Sequence, residues 1–163
     1  GLYVLLQRQG AKDLFWKARM VDLDRDERKI DIHHIFPKKW CEDEGISPRV
    51  YNAIVNKTAI SYKANRMIGG KAPSDYLAQL QRHASVQASN RAMDDILQSH
   101  KIAPEELRAD NFEQFYKGRK QALLELIAAA TGKAIAQSDE YVPEDSAADE
   151  SDDEEGGSLM AAS

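Results

Sequence analysis

A short apolar stretch that ends at a proline constrains the fold most. Residues 29–35 alternate imperfectly between isoleucine and polar side chains, a pattern of β-branched residues that favours a strand. Pro37 ends this strand because proline cannot donate to the ladder. Residues 53–60 have the apolar content of a second strand or a strand with a turn, and residues 61–68 indicate a helix closed by two glycines. The order predicts a strand, strand and helix unit.

The rest of the chain favours helices around that unit. A length of 163 residues suits one compact domain. We expect two short helical pieces within residues 1–20, an ordered loop over 38–52 and helices over 73–133, the last of them capped by Asp110 or Asn111 and stopped by Gly132. His83 and His100 are expected as surface or capping residues. The predicted class is α+β: a small ββα core at about 29–70 within a mostly helical domain, residues 1–136.

The charge is divided unevenly along the chain. Of 27 acidic residues, ten lie in 137–163, which contains no Lys or Arg, so residues 1–136 hold 22 basic and 17 acidic groups. The terminal stretch has few apolar side chains, so burial cannot offset the conformational entropy that ordering would cost. We therefore expect an acidic disordered tail. It either keeps the protein in solution or competes with nucleic acid for a basic groove.

Several classes of protein are disfavoured. No run approaches the roughly 18 apolar residues of a membrane span, and the N-terminus lacks the pattern of a signal peptide. We therefore expect a cytoplasmic protein without a membrane partner. Cys41 is the single cysteine, which excludes an internal disulfide and a cysteine-based zinc site. A metal would have to use His, Asn or carboxylate ligands.

Adjacent histidines at the end of the first predicted strand suggest metal-assisted phosphodiester hydrolysis. On a strand, His33 and His34 point to opposite faces, so one can hold a metal while the other faces substrate. A histidine can accept a proton from water near neutral pH, which makes His34 the candidate base. His33 and Asn65 can reach one cation and leave positions for water and phosphate oxygens. Such an open coordination sphere suits Mg²⁺ or Mn²⁺.

The second predicted strand supplies supporting groups. Asn56 can hydrogen-bond across the hairpin and fix either the His34 ring or its loop. No acidic residue lies between Asn56 and Lys71, and this stretch carries four cations that could bind phosphate. They are Lys57, Lys63, Arg66 and Lys71.

Three stretches carry a resemblance to a known family: His33-His34-Ile35-Phe36-Pro37-Lys38, Asn56-Lys57-Thr58, and residues 65–77 (NRMIGGKAPSDYL). With Asn65 nine residues after Asn56, they resemble the HNH motif, also called the ββα-metal or His-Me finger nuclease motif. More narrowly, the region 31–132 is similar to the C-terminal HNH domain of proteins with an N-terminal ParB-like NTPase domain. GmrSD-type modification-dependent restriction enzymes are members of that group.

The resemblance implies a metal-dependent DNA endonuclease that cuts or nicks DNA. It implies catalytic roles for His34 and Asn56 and metal ligation by His33 and Asn65. The chain would be the nuclease part of a restriction or antiviral defence protein whose NTPase and sensor domain lies elsewhere. The closing ligand is Asn65 rather than histidine, which favours Mg²⁺ or Mn²⁺ over Zn²⁺.

Two other functions remain open at this stage. A catalytically silent nucleic-acid-binding module would keep the fold and the cations but hydrolyse nothing. A helical adaptor of an NTPase partner would leave the histidine and asparagine spacing without a purpose. Asp31 is either a third ligand or an ordinary polar residue of the strand.

Overall fold

The computed structural model describes residues 1–15, 17–19 and 29–132. They form a mixed structure of helices around a two-stranded sheet, which confirms the α+β class. The predicted acidic tail, 137–163, lies outside the described residues. Within the described ranges, no helix combines the length and the apolar character needed to cross a membrane.

The N-terminal region contains one helix, α1, Leu2–Arg8. The second helical piece expected before residue 20 is wrong for the described residues, where Lys12 and Arg19 form an isolated antiparallel bridge instead. The physical reason is Asp13, whose buried carboxylate accepts hydrogen bonds from the Phe15 and Ser61 backbone nitrogens. A side chain that binds nearby backbone groups competes with helix formation.

The sheet pairs β1, Ile30–His34, with β2, Lys57–Ser61, in antiparallel register. His34 lies opposite Lys57, and His33 lies opposite Thr58. Every residue of β2 is buried, because the helical layers cover it. The pairing continues past the strand end, where the Ile35 nitrogen donates to the Asn56 carbonyl at 2.7 Å.

The segment between the strands contains short helices, so the expectation of an ordered loop over 38–52 was wrong. Helix α2 spans Lys38–Asp43 and α3 spans Pro48–Tyr51. A one-turn 3₁₀ helix, Ile54–Asn56, leads directly into β2. Proline before α2 and at the first position of α3 is compatible with a helix start, where no backbone donor is required.

Helix α4, Tyr62–Ile68, follows β2 without a loop. The Ser61 hydroxyl caps it by accepting from the Ala64 nitrogen at 3.2 Å. Gly69 ends it with φ of +51°, in the region that favours glycine. Helix α4 packs against both strands, which places Asn65 on an element in contact with β1.

Four helices complete the fold: α5 (Pro73–Arg82), α6 (Asn90–Ser99), α7 (Pro104–Arg108) and α8 (Phe112–Thr131). The predicted cap and stop of α8 are confirmed, since the Asn111 side chain accepts from the Gln114 nitrogen and Gly132 is left-handed. Helix α5 ends at Arg82, and His83 follows it in an extended conformation.

The apolar core lies on both sides of the sheet. In the larger cluster, the fully buried Phe36 ring contacts the rings of Trp40, Phe112 and Phe115. A smaller cluster joins α1, β2 and α8 through Leu6, Ala59, Leu123 and Leu126. The end of β1 is therefore fixed against the long C-terminal helix.

Candidate functional site

The candidate base, His34, is the last residue of β1 and is 7 % exposed. Its Nε2 lies 2.8 Å from the Asn52 amide oxygen. The Tyr51 ring packs edge-on against the imidazole, with 5.9 Å between centroids. Two residues of the segment 38–52, which was predicted to be a loop, therefore determine the orientation of this histidine.

Asn56 is fully buried and holds the chain that follows His34. Its Oδ1 accepts from the Phe36 nitrogen at 2.9 Å, and its Nδ2 donates to the Phe36 and Tyr51 carbonyls, both at 3.0 Å. Of the two roles considered for Asn56, these contacts match the fixing of the loop. The contact with the His34 ring belongs to Asn52.

Tyr76 of α5 adds a further restraint on the same loop. Its hydroxyl donates to the Ile35 carbonyl at 2.8 Å. Burial raises the pKa of Tyr76 well above its ordinary value, so the phenol keeps the proton that it donates. Both backbone groups of Ile35 are thus engaged, since its nitrogen donates to Asn56.

A buried arginine anchors the turn that contains Asn56. Arg119 of α8 donates to the Val55, Lys57 and His100 carbonyls at 2.6, 2.9 and 3.1 Å. It is 2 % exposed, and burial lowers its pKa to about 9. The guanidinium ties α8 to both the 3₁₀ turn and the start of β2, behind the candidate site.

His100 was expected at the surface or as a cap, and its side chain is instead fully buried. Its Nε2 donates to the Lys12 carbonyl at 2.7 Å, which leaves Nδ1 to accept from the Thr58 hydroxyl at 2.8 Å. Burial, with a smaller contribution from the nearby Arg119, lowers the pKa of His100 to about 4. The neutral ring supports β2 at the residue opposite His33.

The predicted metal ligands lie on elements that touch. His33 is on β1 with its Nε2 3.9 Å from the Asp31 carboxylate, and its side chain is 19 % exposed. Asn65 is half-buried on α4, which packs against β1. Because consecutive strand residues point to opposite faces, His33 projects away from His34.

The donor chemistry of His33 and Asn65 decides which cation they would suit. One imidazole nitrogen and one amide oxygen give two protein ligands, which is compatible with Mg²⁺ or Mn²⁺ that keeps several waters. In residues 1–15, 17–19 and 29–132, no three His, Cys, Asp or Glu side chains converge as a metal-binding group. The predicted pair, His33 and Asn65, is a different kind of ligand set, because it has two members and one of them is an amide.

Three of the four predicted phosphate-binding residues are exposed and form what we call the basic face: Lys63, Arg66 and Lys71. Arg66 lies over the Tyr62 ring at 5.5 Å and donates to its hydroxyl at 3.2 Å. Tyr62, Asn65 and Arg66 share one side of α4 by helical spacing. The candidate ligand Asn65 is therefore next to one cation of the basic face, Arg66.

Lys57 differs from the basic face. It lies on β2 opposite His34 and is only 7 % exposed. A strand position under helical layers gives its side chain much less access to a polymer backbone than the residues of α4 have. Lys39 lies close to the basic face, because a Cβ on Gly70, the residue before Lys71, would lie 3.4 Å from the Lys39 Cβ.

Sequence reasoning missed Asn52, Tyr76 and Arg119. Their roles depend on chain reversals that bring residues 18, 41 and 62 positions apart into hydrogen-bond contact. No local spacing marks them. The one available signal was an arginine in the middle of an otherwise apolar face of α8, since such a residue must find acceptors when it is buried.

Comparisons with known proteins identify a distant relative. No protein-family model matches the chain. The chain is similar to an uncharacterized protein of Methanocaldococcus jannaschii, with 27 % identity over an alignment of 143 residues; the match covers 73 % of this chain and 24 % of that protein. The chain thus spans about a quarter of the length of this curated relative. No solved structure matches.

Proposed function

We propose that this chain is an HNH-type, metal-dependent DNA endonuclease domain with a ββα-metal core. The observation that carries the proposal is the rigid support around His34. Asn56 fixes the following loop through three hydrogen bonds, and Asn52 contacts the imidazole. A histidine held in this way, at the end of a strand and beside a cationic helix, is suited to general-base catalysis on a phosphodiester.

In this proposal each residue has a separate task. His34 takes a proton from water, and the resulting hydroxide attacks the scissile phosphate. Asn56 keeps the backbone after His34 in place. The basic face attracts the DNA backbone, because exposed Lys and Arg side chains bind phosphates and release counterions. Lys63 and Arg66 of the basic face lie on the same helix as Asn65, and this helix contacts β1, so bound phosphates would lie close to that strand.

His33 and Asn65 would hold the divalent cation. When bound, Mg²⁺ or Mn²⁺ supplies positive charge that stabilises the phosphate and the leaving oxygen during hydrolysis. The half-buried positions of both side chains, on elements in contact, support this assignment. The choice of these cations follows from the nitrogen and oxygen donors alone.

The wider role follows from the resemblance. We propose that the domain is the nuclease part of a cytoplasmic restriction or phage-defence protein. An N-terminal ParB-like NTPase and sensor domain would select the DNA in that protein. The small fraction of the archaeal relative that the chain covers is compatible with further domains.

The test is conversion of supercoiled plasmid to nicked or linear DNA in Mg²⁺ or Mn²⁺, with EDTA as a blank. His34→Ala should abolish cleavage, because no base remains at that position. His83→Ala is the matched control: His83 is partly exposed at the end of α5, and its ring contacts Phe15 outside the site. It should cut as the wild type does.

Each result separates the alternatives. Equal cleavage by wild type and His34→Ala would refute the assignment of the base. If the wild type binds plasmid but does not cut it, the basic face belongs to a binding module and the nuclease proposal fails. If it neither binds nor cuts, the adaptor function takes precedence.

A further inference from the structure

Asn52 presents its side chain to His34 and not to its own helix. Its backbone closes α3, since the Asn52 nitrogen donates to the Pro48 carbonyl at 3.0 Å. The amide group is not needed for that cap. Its oxygen lies instead 2.8 Å from His34 Nε2, across 18 residues of sequence.

The neighbouring residue holds Asn52 in place from two directions. The Tyr51 hydroxyl donates to the Glu42 carboxylate at 3.0 Å, which anchors α3 to α2. The Tyr51 carbonyl accepts from Asn56 Nδ2 at 3.0 Å, and the Tyr51 ring packs against the imidazole. Several hydrogen bonds thus hold the segment that places the Asn52 amide beside His34.

An amide oxygen at a ring nitrogen has a defined chemical effect. It accepts a hydrogen bond from Nε2–H in the neutral ring and a stronger one from the imidazolium, which carries a proton on both nitrogens. It also fixes the rotation of the ring. Asparagine serves as the orienting partner of a catalytic histidine in other enzyme classes.

We propose that Asn52 is a positioning residue for His34. In the step that it supports, an O–H bond of water breaks and the proton passes to the imidazole. The electron pair of the hydroxide forms the new bond to phosphorus while the bond to the leaving oxygen breaks. Asn52 stabilises the imidazolium during this step and fixes the orientation of the ring. This inference rests on the proposed nuclease function.

Two substitutions with opposite electrostatic effects provide the test. Asn52→Leu keeps the branching of the side chain but removes the acceptor, and should lower kcat about 10- to 100-fold with little change in KM. Asn52→Asp keeps an acceptor oxygen and adds a negative charge that favours the imidazolium. It should move the acid limb of the pH–rate profile to higher pH. Asn90→Asp makes the same charge change at the exposed start of α6 and should alter neither quantity.

A second measurement does not depend on cleavage. In ¹⁵N-labelled protein at one fixed pH, the imidazole signals of His34 report the contact directly, and they should move in Asn52→Leu and Asn52→Asp but not in Asn90→Asp. Unfolding midpoints of all variants show whether the fold is retained. His34 imidazole signals that are the same in wild type and both Asn52 variants would overturn the inference.

The two proposals fail in distinguishable ways. If the wild type cuts plasmid while Asn52→Leu and Asn52→Asp keep its kcat and pH profile, Asn52 has no positioning role and the nuclease stands. If the wild type does not cut but the His34 imidazole signals respond to Asn52→Leu, the contact is real and the catalytic purpose is refuted.

Discussion

The buried His100 makes a quantitative prediction about acid stability. Its ring is fully buried between the Thr58 hydroxyl and the Lys12 carbonyl, and its pKa is lowered from 6.5 to about 4, first by burial and also by Arg119. In the unfolded chain the ring is solvated and titrates at its ordinary pKa. The folded state therefore keeps His100 neutral over a pH range in which the unfolded state is protonated.

The size of the effect follows from proton linkage. Between pH 6.5 and about 4, the unfolded chain binds one proton at His100 that the folded chain does not bind. The free energy of unfolding falls as pH falls, by about 1.4 kcal/mol for each pH unit. The whole interval is worth roughly 3 kcal/mol, a large part of the 5–15 kcal/mol typical of a domain.

His100→Gln is the variant that isolates this contribution. Its amide can donate to the Lys12 carbonyl and accept from the Thr58 hydroxyl, but it does not titrate. Urea unfolding of both proteins at pH 7 and pH 4 gives the stability difference at each pH. That difference should change by roughly 3 kcal/mol in favour of the variant at pH 4. Other titrating groups cancel because both proteins contain them.

A pH-independent difference between wild type and His100→Gln would refute this reasoning. It would mean that the folded state admits a proton at His100 as readily as the unfolded chain does. His83→Gln removes a partly exposed histidine and leaves His100 in place, so it should retain the acid loss seen in the wild type.

Three further predictions concern the support of the site and the basic face. Asn56→Ala should lower the free energy of unfolding by about 3 to 5 kcal/mol, because three buried hydrogen bonds are lost; a loss under about 1 kcal/mol in urea titrations would contradict it. Arg119→Met should lower the free energy of unfolding by about 3 kcal/mol or more, since buried carbonyls lose their donor. The control Lys117→Met, at an exposed position, should change thermal stability little. Arg66→Ala should weaken the salt dependence of binding to duplex DNA: the slope of log Kd against log salt concentration should fall by about 0.9. An equal fall in Arg82→Ala would argue against a localised basic face.

Elements governed by local chemistry were predictable from the sequence. Isoleucine alternation indicated β1, the Gly pair after Ile68 indicated the end of α4, and Asn111 and Gly132 indicated the limits of α8. These signals act within a few residues, through side-chain volume, backbone caps and the freedom of glycine.

Short elements between the strands were not predictable in the same way. Helices α2 and α3 are six and four residues long, and such lengths are not stable as isolated helices. They exist because Cys41 and Tyr51 are buried in the core and Asn56 binds the Tyr51 carbonyl. Packing supplies the stability that a single turn lacks.

The sequence by itself determined the α+β class, the order of the strands and α4, and the candidate residues His33, His34, Asn56 and Asn65. Only the tertiary structure decided that Asn52 contacts His34, that His100 and Arg119 are buried, and that Lys57 is covered while the basic face is exposed. The physical reason is distance along the chain. Caps and strand periodicity act between near neighbours, whereas burial and hydrogen bonding of these residues depend on which distant segments pack together.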